Sequence, residues 1–265
     1  IVSQITLDDI VKLLPKPTTG IIELPSLGIF YDPSVVINGG LEIRPLSVQE
    51  EKLVAGMNNA NVDDVIDTIL SRCLITSIDI NDLLLTDRYY MLLMLRANSY
   101  GQEYNFTLTC GSCSVAQKHS VNIPGDFTIK NPPVDAKEPF ECVLPVSKIT
   151  LAFRLLRGKD EKIIRKYKDK ENKKGYGTSG DPGYIYSLAL PILMVNNQTI
   201  DIVTAMELVS RLPVKDLAYF KQAIEENTPG VITTVTKSCG ACGKELVTDL
   251  PMTSEFFRPV FTTKK

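Results

Sequence analysis

Apolar and polar positions follow two periods along this chain, and the switch from one to the other occurs twice. Residues 87–113, DRYYMLLMLRANSYGQEYNFTLTCGSC, begin with the apolar spacing of a helix face. Beyond Gly101 the residues become β-branched and aromatic, predicting a strand over Tyr104–Thr109. Residues 216–242, DLAYFKQAIEENTPGVITTVTKSCGAC, run through the same events, with the strand over Val231–Thr236. The two stretches align without a gap at an offset of 129 and share eight of 27 positions. Asp87 matches Asp216, Tyr90 Tyr219, Asn98 Asn227, Gly101 Gly230 and Thr107 Thr236. Cys110, Gly111 and Cys113 match Cys239, Gly240 and Cys242. Each copy predicts a helix from the Asp to about the Asn, then a left-handed cap at Gly101 or Gly230. The strand then enters a Cys-Gly-x-Cys turn, where Gly111 or Gly240 lets the backbone close tightly. Return strands over Ser120–Ile123 and Glu245–Leu250 complete two hairpins of the zinc-ribbon type.

The remaining pattern extends the repeat. Leu7 to Leu14 is a short amphipathic segment stopped by Pro15 and Pro17, which reads as an arm that docks on a neighbour. GIIELPSLGIFYDP (20–33) predicts a strand, a turn and an aromatic strand end, and Gly39-Gly40 leads into a strand over Leu41–Arg44. Ser47 and Glu50 form a capping box for a helix. Residues 63–75 predict a second helix, with Val65, Ile66, Ile69, Leu70 and Cys73 on its apolar face. Arg44, Leu46, Glu51 and Lys52 recur as Arg154, Leu156, Glu161 and Lys162 at an offset of 110. Ile78-Asp79-Ile80 recurs as Ile200-Asp201-Ile202, and ELPS (23–26) has an echo in VLPVS (143–147). The growing offset implies inserts: a solvated loop over 166–183, and one near Thr204–Arg211 that lengthens a helix. The expected organisation is an arm (1–19), a first module (20–127), a Pro-rich linker (128–139), a second module (140–251) and a tail (252–265). The fold class expected is α+β: an internally duplicated module of strands, helices and a zinc-ribbon-like hairpin, in a pseudo-twofold arrangement. The tail FFRPVFTTKK (256–265), like the arm, carries apolar residues that neither module needs, and is expected to serve neighbours.

Such an arrangement brings the hairpin tips together, which gives the cysteines their meaning. Of six cysteines, Cys110, Cys113, Cys239 and Cys242 form two CxxC pairs that read as metal ligands rather than disulfides. Four thiolates suit one structural zinc per chain, with an iron centre as the minor alternative. A site of this kind is worth about 10–16 kcal/mol of apparent binding free energy. Cys73 and Cys142 fall in apolar surroundings and read as small core residues.

Composition mainly excludes. At 265 residues, 44% hydrophobic and 23% charged, the chain can bury a sizeable core. A formal charge of −2 argues against a dedicated nucleic-acid binder. No apolar run reaches about 18 residues, so no membrane partner is expected; nor is a signal peptide, and the initial Ile suggests a trimmed or processed chain. His119 is the only histidine and reads as a surface strand residue, a metal ligand only if it displaced a cysteine. No GxSxG, HExxH or P-loop pattern occurs, and Asp63-Asp64 and Glu225-Glu226 read as solvated helix faces. No catalytic residue and no small-molecule substrate are expected.

The order IELPSLGIFY, then GGLEIRPLSVQEEKLV, then a helix entering a CxxC hairpin resembles the baseplate hub proteins of T-even-like contractile-tailed bacteriophages. The residues carrying the resemblance are Glu23–Ser26, Gly28, Phe30-Tyr31 and Leu41–Glu51, and it covers residues 20–115 best. It implies a non-catalytic virion protein, assembled in the bacterial cytoplasm, whose partners are other baseplate, hub and tail proteins. The competing reading is a zinc-ribbon adaptor that binds nucleic acid or a polymerase. Nucleic-acid ribbons carry bases and aromatics beside the knuckles. Here the tips are Gly-Ser and Gly-Ala, flanked only by Lys118, Lys237 and Lys244, which favours the baseplate reading.

Overall fold

A computed structural model describes residues 18–58, 60–173, 180–251 and 254–257, with the isolated positions 6, 9, 12 and 13. The fold is mixed α+β, built of helices and small antiparallel sheets. Strand β1 (Gly20–Glu23) pairs with β2 (Gly40–Ile43), Gly20 opposite Ile43. The aromatic stretch between them forms turns instead of the expected second strand. The reason is a close crossing of backbone. Gly28 and Gly39 both adopt positive φ (+73° and +72°), and a Cβ on Gly28 would lie 2.6 Å from Gly39 Cα. Only glycine fits a left-handed position with backbone so near.

Helix α1 (Val48–Ala55) starts at the expected capping box: Ser47 accepts from the helix N-terminus while the Glu50 carboxylate takes the Ser47 N–H. Helix α2 (Val62–Cys73) buries Ile69, Leu70 and Cys73. Helix α3 (Leu85–Tyr100) enters the hairpin of β3 (Glu103–Thr109) and β4 (Ala116–Asn122). After β5 (Thr128–Lys130) comes a four-stranded antiparallel sheet of β6 (Phe140–Val143), β7 (Thr150–Phe153), β8 (Ile192–Val195) and β9 (Gln198–Thr199). Between β7 and β8 run α4 (Gly158–Lys173) and α5 (Tyr184–Ala189). The polar run expected as loop from 166 is therefore helical as far as Lys173, and residues 174–179 lie outside those described. Its lysines are good helix formers, and α4 already has an anchored first turn. Helices α6 (Ile202–Arg211) and α7 (Val214–Asn227) precede β10 (Gly230–Ile232), the hairpin of β11 (Thr234–Ser238) and β12 (Glu245–Asp249), and α8 (Ser254–Phe257).

Three further expectations change. The strand predicted over Val231–Thr236 is broken at Thr233, because β10 pairs with β5, at the start of the segment expected as a linker, while β11 pairs with β12. Gly230 is consequently a strand residue and Thr228 caps α7. At Gly101 the expected positive φ is present (+95°), although with extended ψ (161°). The tail is not free for neighbours throughout: Phe256 and Phe257 are buried in the first core, where Phe256 meets Tyr104 edge-on at 5.2 Å. The arm 7–14 falls almost wholly outside the described residues.

Two hydrophobic cores result. The first gathers Leu41, Ile43, Ile69, Leu70, Met91 and Leu95, and also takes Val235 and Leu250 from the far hairpin. The second holds Leu151, Phe153, Ile192, Val209 and Phe220, together with Leu84 from the start of α3. Each core thus borrows apolar residues from the other half of the chain.

Two sets of polar contacts recur across the halves. Arg44 donates both guanidinium nitrogens to Glu50 (3.1 and 3.0 Å), and Arg154 does the same to Asp160 (2.6 and 2.8 Å). In each case the arginine also caps the next residue's carbonyl, Pro45 or Leu155, at 3.1 Å. Asp87 at the start of α3 accepts the Ser26 N–H and the Tyr31 hydroxyl, tying ELPSLGIFY to the helix. Asp216 at the start of α7 accepts the Val146 and Ser147 N–H groups (2.7 and 2.9 Å).

The carboxylate of Glu50 is almost fully buried, so its charge depends on its partners. Burial opposes ionisation, but hydrogen bonds from Arg44 and Ser47 outweigh it and lower the carboxyl from 4.5 to about 2. A depressed folded value means stability that is fully present above pH 4.5 and lost as pH falls towards about 2. The stability gap between the wild type and Glu50→Gln should therefore narrow across that window. Urea titrations at pH 7, 4 and 3 measure it, and a gap that ignores pH would refute a charge contribution from this pair.

Candidate metal centre

The hairpin tips are built alike. After β3, the Cys110 N–H donates to the Val115 carbonyl (3.0 Å) and the Ser114 N–H to the Cys110 carbonyl (2.8 Å). After β11, the Cys239 N–H donates to the Lys244 carbonyl (2.8 Å) and the Gly243 N–H to the Cys239 carbonyl (2.8 Å). These bonds curl each turn so that its two sulfurs face one point. The tight position is not the glycine inside the CxxC motif, as the sequence suggested. Neither Gly111 nor Gly240 has positive φ; the left-handed residues are Ser114 (+59°) and Gly243 (+72°), one step past the second cysteine.

The four Sγ atoms lie within 4.8 Å of one another, the one such cluster of potential ligands among the described residues. The Cys110 and Cys242 sulfurs are 3.7 Å apart, and those of Cys113 and Cys239 are 3.6 Å apart. Both contacts cross between the hairpins. A tetrahedron with metal–sulfur bonds of about 2.3 Å has edges of roughly 3.8 Å, so the spacing suits a thiolate-bound ion. Cys110 and Cys239 are buried, Cys113 is half-buried and Cys242 faces solvent.

Backbone dipoles favour thiolates here. The N–H groups of Cys113 and Ser112 lower the Cys110 thiol to about 6, and those of Cys242 and Ala241 lower Cys239. At Cys113 the Val115 backbone favours the thiolate, but burial and the neighbouring sulfurs prevail and push it up to about 12. Without an ion, the four sulfurs cannot all be charged at this spacing; a divalent cation removes the conflict.

One supporting residue went unread in the sequence. Gln117 on β4 donates through Nε2 to the Cys239 sulfur (3.4 Å), and its Oε1 accepts the Gly240 N–H (2.9 Å). It thereby ties the first hairpin to the knuckle of the second. The position 129 residues on is Leu246, so the repeat itself hides this residue. His119 stays outside the cluster, half-buried with its ring 6.2 Å from that of Phe106. Cys73 and Cys142 are buried in the first and second cores, where burial pushes each thiol up to about 11. Asp63 and Asp64 pair with Arg165 at the surface (2.8 and 3.6 Å). No helix among the described residues is long and apolar enough to cross a membrane.

Fold and site together define an α+β scaffold whose two hairpins converge on a closed cluster of four cysteines. The profile of the T4 bacteriophage base plate protein family matches residues 29–258, and the chain belongs to that family. No curated protein and no solved structure matches it. Membership makes it a component of the phage tail that meets other tail proteins.

The two knuckles differ in one strained residue, which yields a test. A left-handed residue with a side chain costs about 1–2 kcal/mol relative to one without. Ser114→Gly should raise the unfolding midpoint and Gly243→Ala should lower it. Thermal denaturation of the purified protein measures both, and equal shifts of the same sign would contradict the assignment.

Proposed function

We propose that the protein is a non-catalytic structural or assembly component of the hub region of a contractile phage baseplate, stapled by one structural zinc ion. The observation that carries this reading is the convergence of Cys110, Cys113, Cys239 and Cys242 in a chain of the baseplate family. Four protein sulfurs fill a tetrahedral ion, leaving no position for substrate or water. Zinc held this way supplies no reaction; it joins residues far apart in sequence and releases protons as it binds. Tetrahedral all-sulfur coordination suits zinc, with an iron centre on the same four thiolates as the minor alternative.

The scaffold is two copies of one module, 20–127 and 140–251, joined by 128–139. Support comes from the recurring contacts. Arg44–Glu50 and Arg154–Asp160 are 110 residues apart, the offset at which the sequence echo falls. Asp87 and Asp216 are 129 apart, as are the knuckles. The ion then lies near the pseudo-twofold axis, where equivalent hairpins meet. Partners are other baseplate, hub and tail proteins, and assembly takes place in the bacterial cytoplasm before the protein joins the virion. The polymerase or nucleic-acid adaptor reading finds little support at tips formed by Gly111-Ser112 and Gly240-Ala241.

Elemental analysis of the purified, reduced protein should give about one zinc per chain; a ratio near two, or a folded protein with no metal, would sink the shared site. Cys110→Ser should cost several kcal/mol and loosen both hairpins, since each half loses its anchor. Hydrogen exchange reads this directly. Protection lost around 103–122 with 234–249 unchanged would mean that the pairs do not share an ion.

A further inference from the structure

An open groove of about 440 Å³ lies away from the cysteines, where α3, β5, α7 and β10 meet. Its lining is mainly apolar and comes from both halves of the chain: Tyr89 from α3, Leu188 from α5, Ile224 from α7, and Val231 and Ile232 from β10. One wall is a single helix face, since Lys221, Ile224 and Glu225 of α7 stand at the i, i+3, i+4 spacing, and the C-cap Thr228 continues it. That wall runs about 10 Å, two helical turns. Ile232 is 51% exposed there, and Tyr184 on α5, beside Lys221, is 45% exposed. An open apolar face of this kind on a protein that assembles with others marks a contact surface.

The charges identify the occupant. Lys130 donates to the Glu225 carbonyl, and the Lys221 ammonium sits 5.9 Å from the centre of the Tyr184 ring. Neither lysine has a carboxylate within ion-pair distance among the described residues. Glu225 is the only acidic residue of the lining, which leaves the groove positive. A helical wall accepts the side-chain ridge of another helix. Strands β5 and β10, of three residues each, offer too short a ladder to seat an added strand.

We propose that this groove docks an amphipathic helix of another baseplate protein, carrying carboxylates beside its apolar anchors. The inference rests on the baseplate reading above. Apolar anchors supply the affinity, and carboxylates meeting Lys130 and Lys221 set orientation and association rate.

A photo-crosslinking benzoylphenylalanine placed at Ile232 tests it, with one at Val203 on α6 (73% exposed) as the comparison site. Both full-length variants are produced in phage-infected cells, and tails and baseplate intermediates are purified after irradiation. The expected result is both variants in the particles, with Ile232 joined to a different tail protein at a helix bearing acidic residues. Lys221→Glu in that background should cut the cross-link at least tenfold, while Lys221→Arg preserves it. Particles containing the chain without a cross-link at Ile232 would overturn the groove assignment and leave the baseplate reading standing. A cross-link only to a second copy, or to an extended segment, overturns it too. Absence of the chain from particles and intermediates alike would instead remove the baseplate reading, and this inference with it.

Discussion

Four sulfur atoms within 4.8 Å of one another are the constraint from which the rest of the architecture follows. They come from two turns 129 residues apart, and a two-stranded hairpin is marginal in water by itself. Each hairpin is therefore held at both ends. Its tip is held by the other tip, and its base by apolar residues that reach into a core: Tyr104, Phe106 and Val121 from the first, Val235 and Leu250 from the second. All five belong to the same core, so the second hairpin packs on the first half of the chain. An ion at the tips would then lock an arrangement that the bases already favour. Cross-borrowing of this kind couples the halves more tightly than a linker could.

The Arg44–Glu50 and Arg154–Asp160 pairs perform a related service at the strand–helix step. Each arginine leaves the end of a strand, binds a carboxylate in the next helix's first turn and caps a carbonyl between them. Strand direction and helix direction are thereby set by one bidentate contact. The carboxylates are almost fully buried while the arginines keep some contact with water. That asymmetry keeps the desolvation cost below that of a fully buried pair. Breaking one side would still strand a buried charge, at a cost of roughly 3–5 kcal/mol.

Much of this could be read in advance, and the failures have physical causes. The CxxC pairs, the Ser47–Glu50 box, the amphipathic face of α2 and the Arg44/Arg154 echo depend on local chemistry at fixed spacings, which sequence records directly. The break at Thr233 was invisible because it depends on β5, whose Ile129 pairs with Val231 far along the chain and so competes for the first half of the run. Burial of Phe256 and Phe257 was missed because an apolar pair near a chain end gives no sign of which surface covers it. The tight closure of each knuckle was placed at Gly111 and Gly240 because glycine is the usual occupant of a close turn, whereas the left-handed residues are Ser114 and Gly243. Gln117 was missed for the opposite reason: its role exists in only one copy.

Such departures from symmetry carry the functional argument further than the symmetry does. Under the proposed duplication, every surface of the ancestral module is present twice, and each copy is free to take a different task. At the hairpins, Gln117 reaches across to Cys239 while its counterpart Leu246 has no polar atom to send back. At the base of the first hairpin, Tyr104 donates to the Pro251 carbonyl and packs on Phe256, so that flank of the first half is closed from within the chain. Its counterpart in the second module is Thr233, which meets Tyr89 beside the apolar groove at α7 and β10. The flank that is sealed in one copy by aromatic residues is left open in the other. Under that duplication, the closed flank would stabilise the scaffold and the open one would remain for a partner, without an added element.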